Sequence, residues 1–196
     1  MTGGGPDGNE RLTVLTGMLL IVLLAVLGAT IVWIGQLLWL HLFLGLLLIG
    51  PVVLKLLSTG YRFIRYYTAS PAYRSKGPPP RVLRVLGPLV VLSTLAVFAT
   101  GVGLLLLGPS SRQPLLLLHK VSFFAWIAFV AVHVLGHAPE MLRYLRPGAT
   151  SPDARAPDAT ASPSGGAGRL ASLVLAVLCG LALALALIAQ FAAWTG

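Results

Sequence analysis

Four nitrogen-bearing side chains fall inside long apolar stretches, and they do so at one repeated spacing. His41 and Lys55 lie 14 residues apart in one stretch, and His119 and His133 lie 14 residues apart in another. Because an α-helix turns about 100° and rises about 1.5 Å per residue, fourteen steps return to within roughly 40° and cover about 21 Å. Each stretch, if helical, therefore directs two nitrogen ligands to one side, near its opposite ends. Ionisable groups within membrane helices are costly, and they mark functional sites by default.

The stretches that carry these residues are long enough to span a membrane. The chain has 196 residues, of which 57% are hydrophobic and 10% charged, whereas soluble domains are about 45–50% apolar and about 25% charged. A spanning helix needs about 20 apolar residues. Five stretches meet this length: Leu12–Ile34, Leu37–Leu57, Val82–Leu107, Leu115–Leu135 and Leu170–Trp194. We therefore predict an all-α membrane protein with five transmembrane helices.

The positive charge is concentrated in two segments between these stretches. The net charge is +9, and cytoplasmic loops collect Lys and Arg. The first segment holds Arg62, Arg65, Arg74, Lys76, Arg81 and Arg84, and the second holds Arg143, Arg146, Arg155 and Arg169. This pattern predicts a multi-pass protein of the cytoplasmic membrane, with its N-terminus inside and its C-terminus outside. Anionic lipid headgroups, and not nucleic acid, are the partners expected for this charge.

The chain divides into four parts. Residues 1–10 are a polar N-terminal tail, and residues 11–146 are predicted to form a four-helix bundle. Residues 147–168 are rich in Pro, Ala, Ser and Gly, which is typical of a disordered linker. Residues 169–196 hold a fifth, loosely tethered transmembrane helix, which we interpret as a packing helix. The single cysteine, Cys179, excludes an internal disulfide and a thiolate metal cluster.

Two imidazoles that face each other across a bundle suit the axial positions of a b-type haem iron. The second and fourth stretches run in the same direction, so His41 can face His119 near the outer surface and Lys55 can face His133 near the inner one. Gly45, one turn beyond His41, leaves room for a flat macrocycle, as small residues do in membrane bundles. The competing interpretation is that each histidine is simply hydrogen-bonded inside a packed interior.

These segments resemble those of bacterial membrane cytochromes b, the haem-binding four-helix domains related to di-haem cytochromes b and ferric-reductase-like domains. The motifs are His41-Leu-Phe-Leu-Gly45, Pro51 with Lys55, Thr59-Gly60-Tyr61-Arg62-Phe63, Leu118-His119-Lys120, Trp126, and His133-Val-Leu-Gly-His137. The resemblance covers about residues 11–146. It implies one or two haems b and transmembrane electron transfer, from quinol to an extracytoplasmic acceptor protein, by a membrane subunit of an oxidoreductase. Lys55 stands where a second histidine would complete a di-haem set.

Several residues near the inner end have more than one interpretation. A neutral Lys55 could bind the inner iron, because desolvation lowers a lysine pKa. A charged Lys55 could instead pair with a haem propionate or extend to the membrane interface. His137, one turn beyond His133, could contact a propionate or a quinone, or be an ordinary interfacial histidine. Arg62 and Arg65 are candidate propionate partners, or they only set the topology.

Two other classes of function compete with electron transfer. The four buried nitrogens could form a relay in a proton-conducting or solute-conducting subunit, although the five helices show no inverted repeat. The chain could also be a membrane anchor without haem for a partner protein. Hydrolytic catalysis is excluded, because the carboxylates lie in tails, a linker or an interface: Asp7, Glu10, Glu140, Asp153 and Asp158.

Overall fold

The computed structural model of the chain describes residues 5–68, 70–75, 77, 81–145 and 165–195. Within these ranges the regular structure is helical, and five helices are long and apolar enough to cross a membrane. The predicted fold class is therefore confirmed. The helices are α1 Gly5–Val32, α2 Ile34–Tyr67, α3 Pro71–Arg74, α4 Arg81–Leu107, α5 Arg112–Leu145, α6 Gly166–Ala186 and α7 Ala192–Thr195. Most of the predicted linker lies outside the described residues.

Four of the five spanning helices are longer than the apolar stretches that predict them, whereas α6 ends at Ala186, eight residues before the predicted end at Trp194. α1 begins at Gly5 and takes in most of the segment interpreted as a polar tail. The reason lies in packing. Asn9 is fully buried, and its side-chain N–H donates to the main-chain carbonyl of Ser58 on α2. α2 continues to Tyr67, where the chain bends and Pro71 begins the short α3, since proline is well suited to the first turn of a helix.

Two antiparallel hairpins account for four of the spanning helices. The first joins α1 to α2 through Trp33, whose carbonyl accepts from the main-chain N–H groups of Gln36 and Leu37. The second joins α4 to α5 through Gly108, whose φ of 73° favours glycine. The hairpins meet where α2 contacts α4, and α5 packs chiefly against α4. We call the end with Trp33 and Gly108 the turn end, and the opposite end the basic end.

The fifth spanning helix, α6, packs directly against α2. A Cβ added to Gly50 would overlap the main-chain carbonyl of Ala176, and one added to Gly180 would overlap that of Leu47. Small residues thus let the two backbones approach closely, as is common between membrane helices. A buried cluster lies beside this contact, formed by Leu46, Leu105, Ala184 and Phe191. The linker is therefore not the only element that holds α6 in place.

Candidate functional site

The candidate nitrogens occupy equivalent positions on α2 and α5. Each helix spans 34 residues, although α2 is interrupted at Leu37, whose φ of −109° and ψ of 18° are not helical. His41 and His119 each lie seven residues after the first residue of their helix. Lys55 and His133 are likewise matched, further along the same two helices. His41 and His119 are close enough to influence each other electrostatically, and so are Lys55 and His133. The fold thus brings together one pair at the turn end and one pair at the basic end, each from separate hairpins.

His41 is fixed by the helix that precedes it. Its Nδ1 lies 2.9 Å from the Thr30 hydroxyl oxygen on α1. That hydroxyl in turn donates to the main-chain carbonyl of Leu27 at 2.6 Å. Thr30 is buried, so the contact ties the His41 ring to α1 within the first hairpin.

His119 is held in the same way by the second hairpin. Its Nδ1 lies 3.1 Å from the Thr100 hydroxyl oxygen on α4, and Thr100 donates to the main-chain carbonyl of Ala96 at 2.8 Å. The ring lies over Gly101, where an added Cβ would come within 3.1 Å of Cε1. Ser122 adds a hydroxyl 3.2 Å from that of Thr100. Thr100 and Gly101 thus determine where this imidazole can lie.

At the basic end Lys55 extends toward α1. Its Nζ donates to the main-chain carbonyl of Thr13 at 2.7 Å. A small polar cluster surrounds this bond, because the Thr13 hydroxyl donates to that of Ser58 at 3.1 Å and Asn9 donates to the Ser58 carbonyl. Lys55 therefore joins the two helices of the first hairpin, while its charge still acts on His133.

His133 and His137 lie together on one face of α5. Their ring centroids are 4.7 Å apart, with the planes tilted by 59°. Nδ1 of His133 is buried and makes no hydrogen bond to the part of the chain that the structure describes. Buried polar atoms normally have a partner, so this atom is placed to bind a group from outside the described chain.

The remaining predicted site residues lie toward the turn end or toward the basic end. Gly45 faces open space, since an added Cβ would meet no atom of the described residues within 4 Å. Arg65 lies with its guanidinium carbon 5.9 Å from the centre of the Tyr73 ring and donates to the Ser70 hydroxyl. Arg62 also acts on Tyr73, whose pKa is raised chiefly by burial. Arg65 therefore contacts the segment after α2, and Arg62 acts electrostatically on Tyr73 in the same segment.

Sequence reasoning missed the hydroxyl groups that orient the rings. Thr30 and Thr13 are polar residues inside an otherwise apolar first stretch, and this was the available signal. Their partners could not be inferred from spacing, because the angle at which α1 meets α2 decides that the Thr30 hydroxyl reaches His41 and that the main-chain carbonyl of Thr13 reaches Lys55.

The arrangement offers pairs of nitrogen donors. Among the described residues, no three His, Cys, Asp or Glu side chains come together as a metal-binding group. A haem iron takes four ligands from the porphyrin and so needs at most two from the protein. The pair at the turn end and the pair at the basic end each offer two nitrogens. No protein-family model, no curated protein and no solved structure matches this chain.

Proposed function

We propose that this chain is a membrane cytochrome b that binds haem b between His41 and His119. The observation that carries this proposal is that two histidines from separate hairpins lie close enough to influence each other electrostatically, and that Nδ1 of each is within hydrogen-bond distance of a threonine hydroxyl. When bound, haem b supplies one-electron oxidation and reduction. We further propose quinol as the donor and an extracytoplasmic redox protein as the acceptor, with the chain as the membrane subunit of an oxidoreductase.

The residues at the turn end fit this group on their donor chemistry. Nδ1 of each ring is already hydrogen-bonded, so Nε2 is the nitrogen available for iron. Neutral imidazole is the form that binds metals. The open space beside Gly45, one turn from His41, provides room along α2. The apolar spans around the site would exclude water from both rings.

The basic end fits a second haem less well. Lys55 directs its Nζ to a carbonyl of α1, and this bond ties it to the first hairpin. The unpaired Nδ1 of His133 is consistent with a bound group at this level, but His133 then lacks an opposing donor that is equally available. We therefore propose one haem per chain, at the turn end.

The charge distribution supports an orientation for this site. Lys and Arg side chains favour the cytoplasmic side, and most of those on the spanning helices lie toward the basic end. With that end inside, His41 and His119 lie near the outer surface of the cytoplasmic membrane. A haem at this depth would be close to an extracytoplasmic acceptor, while quinol reaches the protein through the bilayer.

A reduced-minus-oxidised absorption spectrum of the purified protein, with haem quantitation, tests this proposal. We expect a b-type spectrum and about one haem per chain. His137→Ala is the matched control, since it removes another imidazole of α5 and should retain the spectrum. A folded but colourless protein, after haem has been supplied, would overturn the proposal and favour the anchor or proton-conducting alternative. A ratio of two would overturn the single-haem assignment.

A further inference from the structure

Each candidate ligand shares a hydrogen bond with a threonine on the helix that precedes it in its hairpin. His41 is paired with Thr30, and His119 is paired with Thr100. In both cases the hydroxyl also contacts a main-chain carbonyl of its own helix, at 2.6 Å for Leu27 and at 2.8 Å for Ala96. The two hairpins differ in sequence, but in each a threonine hydroxyl contacts both a histidine ring and a main-chain carbonyl.

These distances determine where the hydroxyl hydrogen of each threonine lies. A threonine hydroxyl has a single hydrogen to donate and two lone pairs to accept with. Oxygens 2.6–2.8 Å apart are at O–H···O hydrogen-bond distance, and without a hydrogen between them they would repel. The hydrogen of each threonine is therefore committed to the helix carbonyl. The same oxygen can then only accept from the imidazole, so Nδ1 carries a proton. In the second hairpin the Val97 backbone belongs to the same arrangement, because it hydrogen-bonds to the His119 ring and its carbonyl lies 3.1 Å from the Thr100 hydroxyl.

We propose that Thr30 and Thr100 are positioning residues that hold His41 and His119 as neutral Nδ1–H tautomers. This leaves the Nε2 lone pair of both rings as the metal-binding atom, before any metal is bound. The identity of the metal group rests on the proposed function, whereas the tautomer is a property of the chain alone. Hydrogen bonds to the far nitrogen of a ligating histidine fix its orientation and raise its basicity, so the two threonines would also tune the bound iron.

The tautomer can be measured in haem-free protein. We suggest ¹⁵N-histidine labelling of the full chain in lipid nanodiscs, with signals assigned by His133→Gln and His137→Gln. The expected spectrum shows His41 and His119 protonated at Nδ1. Thr30→Val and Thr100→Val keep the side-chain shape but remove the acceptor, and each should shift its own histidine toward the Nε2–H form. Thr30→Ser and Thr100→Ser should restore the original signal.

Thr16→Val is the matched control. Thr16 is buried on α1 and donates to the Leu12 carbonyl at 2.7 Å, the same kind of contact as that of Thr30. Its replacement should leave all histidine signals unchanged, which separates a local effect from a loss of folding. In haem-loaded protein, the valine variants at 30 and 100 should raise the midpoint potential, and the serine variants should return it toward that of the wild type.

Two results would overturn the positioning role. One is an Nε2–H signal for either ring in the wild type, and the other is an unchanged tautomer in folded Thr30→Val and Thr100→Val proteins. A different result would contradict the proposed function alone. Protein that shows the expected tautomers, and loses them in the valine variants, but takes up no haem would contradict the cytochrome assignment and support the role of the threonines.

Discussion

The side-chain nitrogen Nζ of Lys55 lies 2.7 Å from the main-chain carbonyl oxygen of Thr13 and donates to it. Gly17, one turn further along α1, makes this approach possible, because a Cβ there would lie 3.2 Å from Nζ. Three interpretations of Lys55 are open from the sequence, namely an iron ligand, a propionate partner and an interfacial residue. The contact with Thr13 adds a fourth role, in which Lys55 joins α2 to α1.

Lys55→Met should therefore weaken the protein without removing its haem. The variant loses one interhelical hydrogen bond, and we expect the free energy of unfolding to fall by about 1 kcal/mol. Thermal unfolding in detergent and haem quantitation measure the two effects. Lys120→Met, which changes an exposed lysine of α5, should leave stability unchanged. Loss of haem in the Lys55 variant would show instead that this amine is an iron ligand.

Gly101 and Gly103 provide a matched pair of tests for the position of the His119 ring. Gly101→Ala places a methyl group 3.1 Å from Cε1 of His119, whereas Gly103→Ala meets no atom of the described residues within 4 Å. Because overpacking forces neighbouring groups to shift, we expect Gly101→Ala to lower haem occupancy and Gly103→Ala to retain it. Equal occupancy in the two variants would contradict the placement of the ring.

The contact between α2 and α6 predicts a large effect from a single methyl group. Gly50→Ala and Gly180→Ala each overlap a main-chain carbonyl of the opposite helix, and a backbone cannot move aside as a flexible side chain can. We expect each to lower the free energy of unfolding by about 1–3 kcal/mol. Gly60→Ala, on α2 but facing open space among the described residues, should be neutral or slightly stabilising. Similar unfolding curves for all three variants would count against the close contact.

The sequence predicts the position of each candidate side chain along its helix better than it predicts the helix toward which that side chain extends. Helix length and the repeated 14-residue spacing predict that His41 is matched with His119 and Lys55 with His133. The spacing could not show that Lys55 extends to α1, because this depends on the absence of a side chain at Gly17 and on how the hairpin closes.

Helix packing was the least predictable feature. Between membrane helices an apolar side chain is as stable against lipid as against protein, so hydrophobic pattern does not identify the face that packs. The docking of α6 on α2 thus rests on Gly50 and Gly180, which the apolar pattern does not distinguish from other glycines. The helical start at Gly5 was missed for a related reason, since the polar composition of residues 1–10 conceals that Asn9 has a buried partner on α2.

The charge pattern predicts the orientation of the chain. With five spans and the basic end inside, a reporter fused after residue 196 should lie outside the cytoplasm. Alkaline phosphatase fused there should be active, and a fluorescent protein that folds only in the cytoplasm should be dark. A fusion within residues 147–164, before α6, should give the opposite pair of results. The reverse pattern at both sites would place His41 and His119 near the cytoplasmic face.

The pairing of His41 with His119 is tested most directly by haem content in single and double variants. His41→Ala, His119→Ala and the double variant are purified alongside the wild type, with circular dichroism to verify helix content, and their reduced-minus-oxidised spectra are compared. Each single variant should lose the b-type absorption, and the double variant should lose no more than either single one. Full haem content in either folded single variant would contradict the assignment of these two histidines as opposing ligands of one iron.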